Sequence, residues 1–154
     1  MGHTGTHGNS AMNEYTRDYV AQEVECADPA RIIEMLYQRA LRDLKNACEL
    51  WPMLDQSPAA IQLLVHAQSI VKELQASLNY NDGGELATQL GRLYEYMQFQ
   101  LCEISTRRGP DETRNIEEII FLLSSLSDAW SIMARDRQES SESSALLNGG
   151  TLVA

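Results

Sequence analysis

One histidine, three cysteines and a glycine pair carry most of the chemistry this chain could do. His66 is the only histidine outside the start of the chain, where His3 and His7 stand among Gly, Thr and Asn. A metal in a helical bundle is held by Glu-x-x-His pairs or inward carboxylates, and the residue three before His66 is Leu63. With no second histidine to join it, a metal site is not expected. A phosphotransfer helix presents its histidine among small and basic residues, whereas Ala67, Gln68, Ser69, Ile70 and Val71 follow His66. A Ser–His–Asp set would have to draw on the same histidine. Cys26, Cys48 and Cys102 are odd in number and share no short spacing, which points to a reducing compartment and to small, buried thiols. Gly83-Gly84 precedes a helix, whose N-terminus attracts anions, but Asp82 and Glu85 flank it and favour a turn and cap. Arg107-Arg108 suits the negative end of a helix. These residues supply no catalytic centre and call for no cofactor.

The elements around them read as helices. Asp28-Pro29 and Ser57-Pro58 each place a capping side chain before a proline at the first helical position. Asn81 to Glu85 and Gly109-Pro110-Asp111 break the chain twice more. Four helices are expected, at about 29–51, 58–79, 83–107 and 111–135. Their apolar stripes include Ile33, Leu36, Tyr37, Ala40, Leu44, Ala47 and Trp51 on the first. The third carries Leu86, Leu90, Leu93, Met97, Leu101 and Ile104, and the fourth runs from Ile116 through Leu123 and Trp130 to Met133. Long helices on short turns fold back on one another, so the fold class is all-α, an antiparallel up-and-down four-helix bundle. Tyr15, Tyr19, Val20 and Val24 add a short N-terminal accessory helix. Residues 1–14 read as a disordered leader with the composition of an expression remnant, 15–135 as the bundle domain and 136–154 as a flexible Ser- and Gly-containing tail, with Leu146 and Leu147 as a hint of a docking peptide.

Charge narrows the function. Of 154 residues, 22 are acidic and 12 basic, a net charge of −10, and one negative charge at each end leaves −8 between Tyr15 and Ala134. Such a surface repels phosphate, so no nucleic-acid partner is expected. No run approaches the ~20 apolar residues of a membrane span, and the start lacks a secretory signal, so no membrane insertion is expected. The acidity avoids the second helix, whose only charges from Ala59 to Leu78 are Lys72 and Glu73. Its rows Leu63-Ala67-Ile70-Leu74 and Ile61-Leu64-Val71-Leu78 lie beside Gln62, Gln68, Gln75, Ser69 and Ser77. Either both flanks meet neighbours of the same chain, or one flank receives an apolar helix from a partner.

Several runs resemble the FliS family of flagellar export chaperones. They are Tyr19 with Val24, Ala27-Asp28-Pro29 and Met35-Leu36-Tyr37, then His66 to Leu74 with Ser77-Leu78-Asn79, which is similar to a Lys-Ala-Gln-x-Ile-x-x-Glu-Leu run. Gly83-Gly84-Glu85-Leu86-Ala87, Leu93-Tyr94, Tyr96-Met97, Leu101 and Asp128-Ala129-Trp130 follow in order. Departures fall at Gln38-Arg39, at His66 in place of lysine, and at Ile104-Ser105. The resemblance implies a non-enzymatic chaperone of the bacterial cytosol that binds the C-terminal segment of flagellin, prevents premature polymerisation and assists delivery to the export apparatus. Export-gate components and, for the empty chaperone, a second copy of itself are the further candidate partners.

Tyr19, Ile70, Leu74, Leu78, Tyr94, Met97 and Leu101 are the candidate partner-binding residues, with core packing as the rival role. The segment bearing Tyr15 and Tyr19 is either a plug that the partner displaces or a permanent cap. Two other readings stand beside the chaperone: a four-helix adaptor for another amphipathic helix, and a phosphotransfer domain using His66.

Overall fold

The structure, a computed structural model, describes residues 28–53 and 57–150. Tyr19, Cys26, the leader and the accessory helix lie outside these residues. The described helices are α1 (Pro29–Leu50), α2 (Ser57–Ala76), α3 (Tyr80–Arg107) and α4 (Glu112–Gly150). The chain divides after Ile32, and of the first unit Asp28–Ile32 is described. There the Asp28 carbonyl accepts from the amides of Arg31 and Ile32, closing the first turn that proline permits.

Direction in the second unit follows from side-chain bonds between helices. Tyr37 meets Tyr94, and the Trp51 indole N–H donates to the Gly109 carbonyl at 2.8 Å, so α1 and α3 run the same way. Tyr96 reaches Glu118 and Arg107 pairs with Glu112, which sets α4 against α3. With α2 returning between short connections, the order is up, down, up, down, the all-α bundle that the stripes imply. Its centre is filled by Leu44, Leu64, Leu74, Met97, Leu101 and Ile116, each with less than 2 % of its surface exposed.

The α2–α3 connection departs from expectation. Asn79, rather than the Asn81–Glu85 run, caps α3: its side chain accepts from the Asp82 amide at 3.2 Å. Helical hydrogen bonding resumes at Tyr80, and the break falls inside, at Gly84, with φ 53° and ψ −130°. A side chain would strain that conformation, so the pair of glycines is a hinge in the helix. Folding back at this hinge sets the Tyr80 hydroxyl where a Cβ on Gly91 would lie 2.7 Å away. At the other end, Arg108 ends α3 in the left-handed region, and Arg107 reaches forward to the buried Glu112 at 3.2 Å.

The fourth helix, expected to stop near residue 135, runs on to Gly150. Glu, Gln, Arg, Ala and Leu in that stretch favour helix, and no proline or glycine interrupts it before Gly149. Serine content alone is a poor guide to where a helix ends.

One core contact makes a prediction of its own. The Tyr37 and Tyr94 hydroxyls share a buried hydrogen bond of 2.5 Å. Tyr94→Phe strands the Tyr37 hydroxyl and is expected to cost about 1–3 kcal/mol, while Tyr37→Phe with Tyr94→Phe costs less than the two single changes summed, as a urea-unfolding cycle would report. Burial holds both phenols above their ordinary value of 10.0. The unfolded chain therefore gives up these protons first, so their contribution is intact below pH 10 and is lost as pH rises beyond it.

Candidate partner-binding surface

The undercharged helix has neighbours of its own chain on both flanks. Towards α1, the His66 Nδ1 bonds the Asp43 carboxylate. Towards α3, the Gln75 amide donates to Glu95 at 3.2 Å, and Gln98 donates to Gln75 at 2.7 Å. The glutamines that suggested a partner interface are thus partly engaged inside the bundle.

The candidate residues divide accordingly. Ile70, Leu74, Tyr94, Met97 and Leu101 are buried in the core, Leu78 is half-buried against it, and Tyr19 lies outside the described residues. A tyrosine hydroxyl needs a partner wherever the ring sits, at a rim or in a core. Tyr37, 57 residues away, supplies that partner in the interior.

What α2 leaves open is its outward strip. Ala59, Gln62, Val65, His66 and Ser69 face solvent with no formal charge among them at neutral histidine, and Val65 is 51 % exposed. Ala59, Gln62, Leu63 and His66 line an open depression along this strip. A second apolar surface lies on α3 and α4. The chain has two phenylalanines, and both are outside the core, Phe99 at 61 % and Phe121 at 71 % exposure. They flank the Tyr96–Glu118 bond, one helical turn away on either side. Sequence reasoning passed over both because they stand off the stripes, Phe99 two residues after Met97 and Phe121 two before Leu123. An apolar side chain at a position where the period calls for a polar one is the signal that marks them.

Of the two thiols among the described residues, that of Cys48 is held in its protonated form. Burial, with Glu117 and Glu49 nearby, pushes the Cys48 thiol up, and its Sγ donates to the Thr113 carbonyl at 3.9 Å. Cys102, expected to be buried, is exposed on the outward face of α3. Among the described residues no three His, Cys, Asp or Glu side chains gather as a metal would require, and none of the described helices is long and apolar enough to cross a membrane. The surface therefore offers shape and apolar contact.

Comparison with known proteins gives this surface a setting. Residues 11–137 match the family model described as flagellar protein FliS. The chain is 33 % identical over 120 residues to the flagellar secretion chaperone FliSB of Pseudomonas aeruginosa, covering 78 % of this chain and 92 % of that one. It is 34 % identical over 122 residues to the flagellar secretion chaperone FliS of Salmonella typhimurium, covering 79 % and 87 %. A crystal structure of a bacterial flagellar chaperone superimposes with a TM-score of 0.63 at 21 % identity, over 82 % of this chain and 98 % of that one, and so shares the fold. From its four-helix bundle and its match along most of its length, the chain belongs to the FliS family of flagellar proteins.

Proposed function

We propose that this protein is a cytosolic chaperone that binds the C-terminal helical segment of flagellin, keeps it from polymerising early and assists its delivery to the export apparatus. The observation that carries the reading is the uncharged outward strip of α2, with Val65 beside the depression at Ala59, Gln62, Leu63 and His66, on a chain of net charge −10. An amphipathic helix that would self-associate in water finds there an apolar seat framed by acidic, solubilising surface. Phe99 and Phe121 offer a second seat on another face, as suits a partner that contacts the bundle at more than one place. The chaperone needs no catalysis for this role: binding the free segment withdraws it from assembly by mass action.

Since Ile70, Leu74, Tyr94, Met97 and Leu101 hold the core, their part in binding is to shape the helices that carry the strip. Calorimetry with a flagellin C-terminal peptide, beside a control amphipathic helix of equal charge and length, tests the proposal. Saturable one-to-one binding of the flagellin peptide alone is the expected result. Equal binding of both peptides would turn the reading to a general helix adaptor, and binding of neither would end it.

A further inference from the structure

Two of the polar side chains on the outward strip of α2 can adapt to whatever covers them. The Gln62 amide both donates and accepts, and the Ser69 hydroxyl turns to suit its neighbour. His66 cannot adapt in this way, because its Nδ1 is bonded to the Asp43 carboxylate of α1. Asp43 is well covered, with 14 % of its side chain exposed, while 52 % of the His66 side chain is open. A carboxylate oxygen offers only lone pairs, so the hydrogen of this bond sits on Nδ1. In a neutral imidazole the other nitrogen is then a bare acceptor. Among the described residues nothing bonds Nε2, and the open part of the ring borders the depression with Ala59, Gln62 and Leu63.

We propose that the Asp43–His66 pair fixes the polarity of this seat, so that the bound segment must place a hydrogen-bond donor against Nε2 of His66. The assignment presupposes the chaperone reading and adds to it the chemistry that the partner must carry. Ala59 and Leu63 offer apolar wall to one side chain of an incoming helix. His66 stands one turn from Gln62 and Leu63, so the donor lies three or four residues from that apolar side chain on the partner. A hydroxyl, a carboxamide or an ammonium meets the requirement. A carboxylate fails it twice, since its lone pairs face the bare nitrogen and the Asp43 charge stands directly behind the ring. Asp43 thus acts on the partner through His66, as a positioning residue.

Nitrogen-15 NMR of the imidazole in the full chain at neutral pH reads the ring directly, with His66→Gln identifying its signals beside those of His3 and His7. The expected ring carries hydrogen on Nδ1 and none on Nε2. Hydrogen on Nε2, or on both nitrogens, overturns the proposal. Adding the flagellin C-terminal peptide should then shift the Nε2 signal as that nitrogen accepts a bond. Saturable binding that leaves Nε2 unmoved overturns the proposal and leaves the chaperone reading standing, whereas no binding at all ends that reading while the ring's hydrogen is still read in the free protein.

Substitutions give an independent arm. His66→Leu leaves the partner's donor unsatisfied and should weaken binding about tenfold, while His66→Gln, whose carbonyl reaches the place of Nε2, should retain more affinity than His66→Leu. Asp43→Asn releases the ring to its other tautomer and should also weaken binding about tenfold, with Nε2 protonated in the spectrum. Circular dichroism confirms an unchanged bundle in each variant. Equal affinities for His66→Leu, His66→Gln and the unaltered chain overturn the proposal, as does an Asp43→Asn chain that binds normally with its tautomer reversed.

Discussion

Leu101→Ala is expected to lower the stability of the bundle by about 2–5 kcal/mol while leaving the flagellin affinity of the folded fraction within about threefold. Leu101 is completely buried in the centre of the bundle, packed with Met97 and Leu64 in one continuous core. Removing its branched end takes away apolar contact and leaves a cavity that rigid helices on every side close only in part. For a domain stable by about 5–15 kcal/mol in all, that is a large fraction, and urea unfolding followed by circular dichroism reads it directly. If Leu101 instead received the partner, the outcome would reverse, with unfolding unchanged and binding lost.

Val65→Glu should show the opposite pattern. The side chain stands on the outward strip of α2, half exposed, and no core contact depends on it. A carboxylate there remains in water while the chaperone is empty, so the unfolding midpoint should move by no more than about 0.5 kcal/mol. Covering that carboxylate with an apolar helix strips its hydration without offering a partner, and a loss of about tenfold to a hundredfold in affinity follows. Titration calorimetry with the flagellin peptide measures it. Unchanged affinity would remove the α2 strip from the binding surface and leave the Phe99–Phe121 face as the seat to test by the same substitution.

The contrast between these two residues shows how far the sequence reaches. Leu101 and Leu86 stand on one apolar stripe and are equal by periodicity, yet Leu101 is buried and Leu86 is 59 % exposed. The cause is the length of the neighbour. Gln75, next to the last residue of α2, sits beside Glu95 and Gln98, so the first turns of α3 extend past the end of α2 and have nothing from it to pack on. Met133 is likewise exposed, just before residues 135–148, whose side chains are all exposed. Periodicity says which side of a helix is apolar. It carries no information on where along the axis a partner helix stops.

Local chemistry was legible for a matching reason. Proline after Asp28 and Ser57, and the charge-poor run from Ala59 to Leu78, act through neighbours a few residues away, and each appears in the structure as a helix start or an uncharged outward strip. The resemblance carried by His66 to Leu74 and by Gly83 to Ala87 named the family for the same reason, since short runs survive in sequence order.

The amino-acid sequence by itself determined the all-α class, the number of long helices and the family, because capping, period and short motifs are properties of adjacent residues. Only the tertiary structure decided which apolar residues are core and which are surface. It buried Tyr94 by bringing Tyr37 to its hydroxyl and left Phe99 and Phe121 in the open. Those outcomes depend on helix ends, axial register and partners tens of residues apart, and these are fixed when the helices pack.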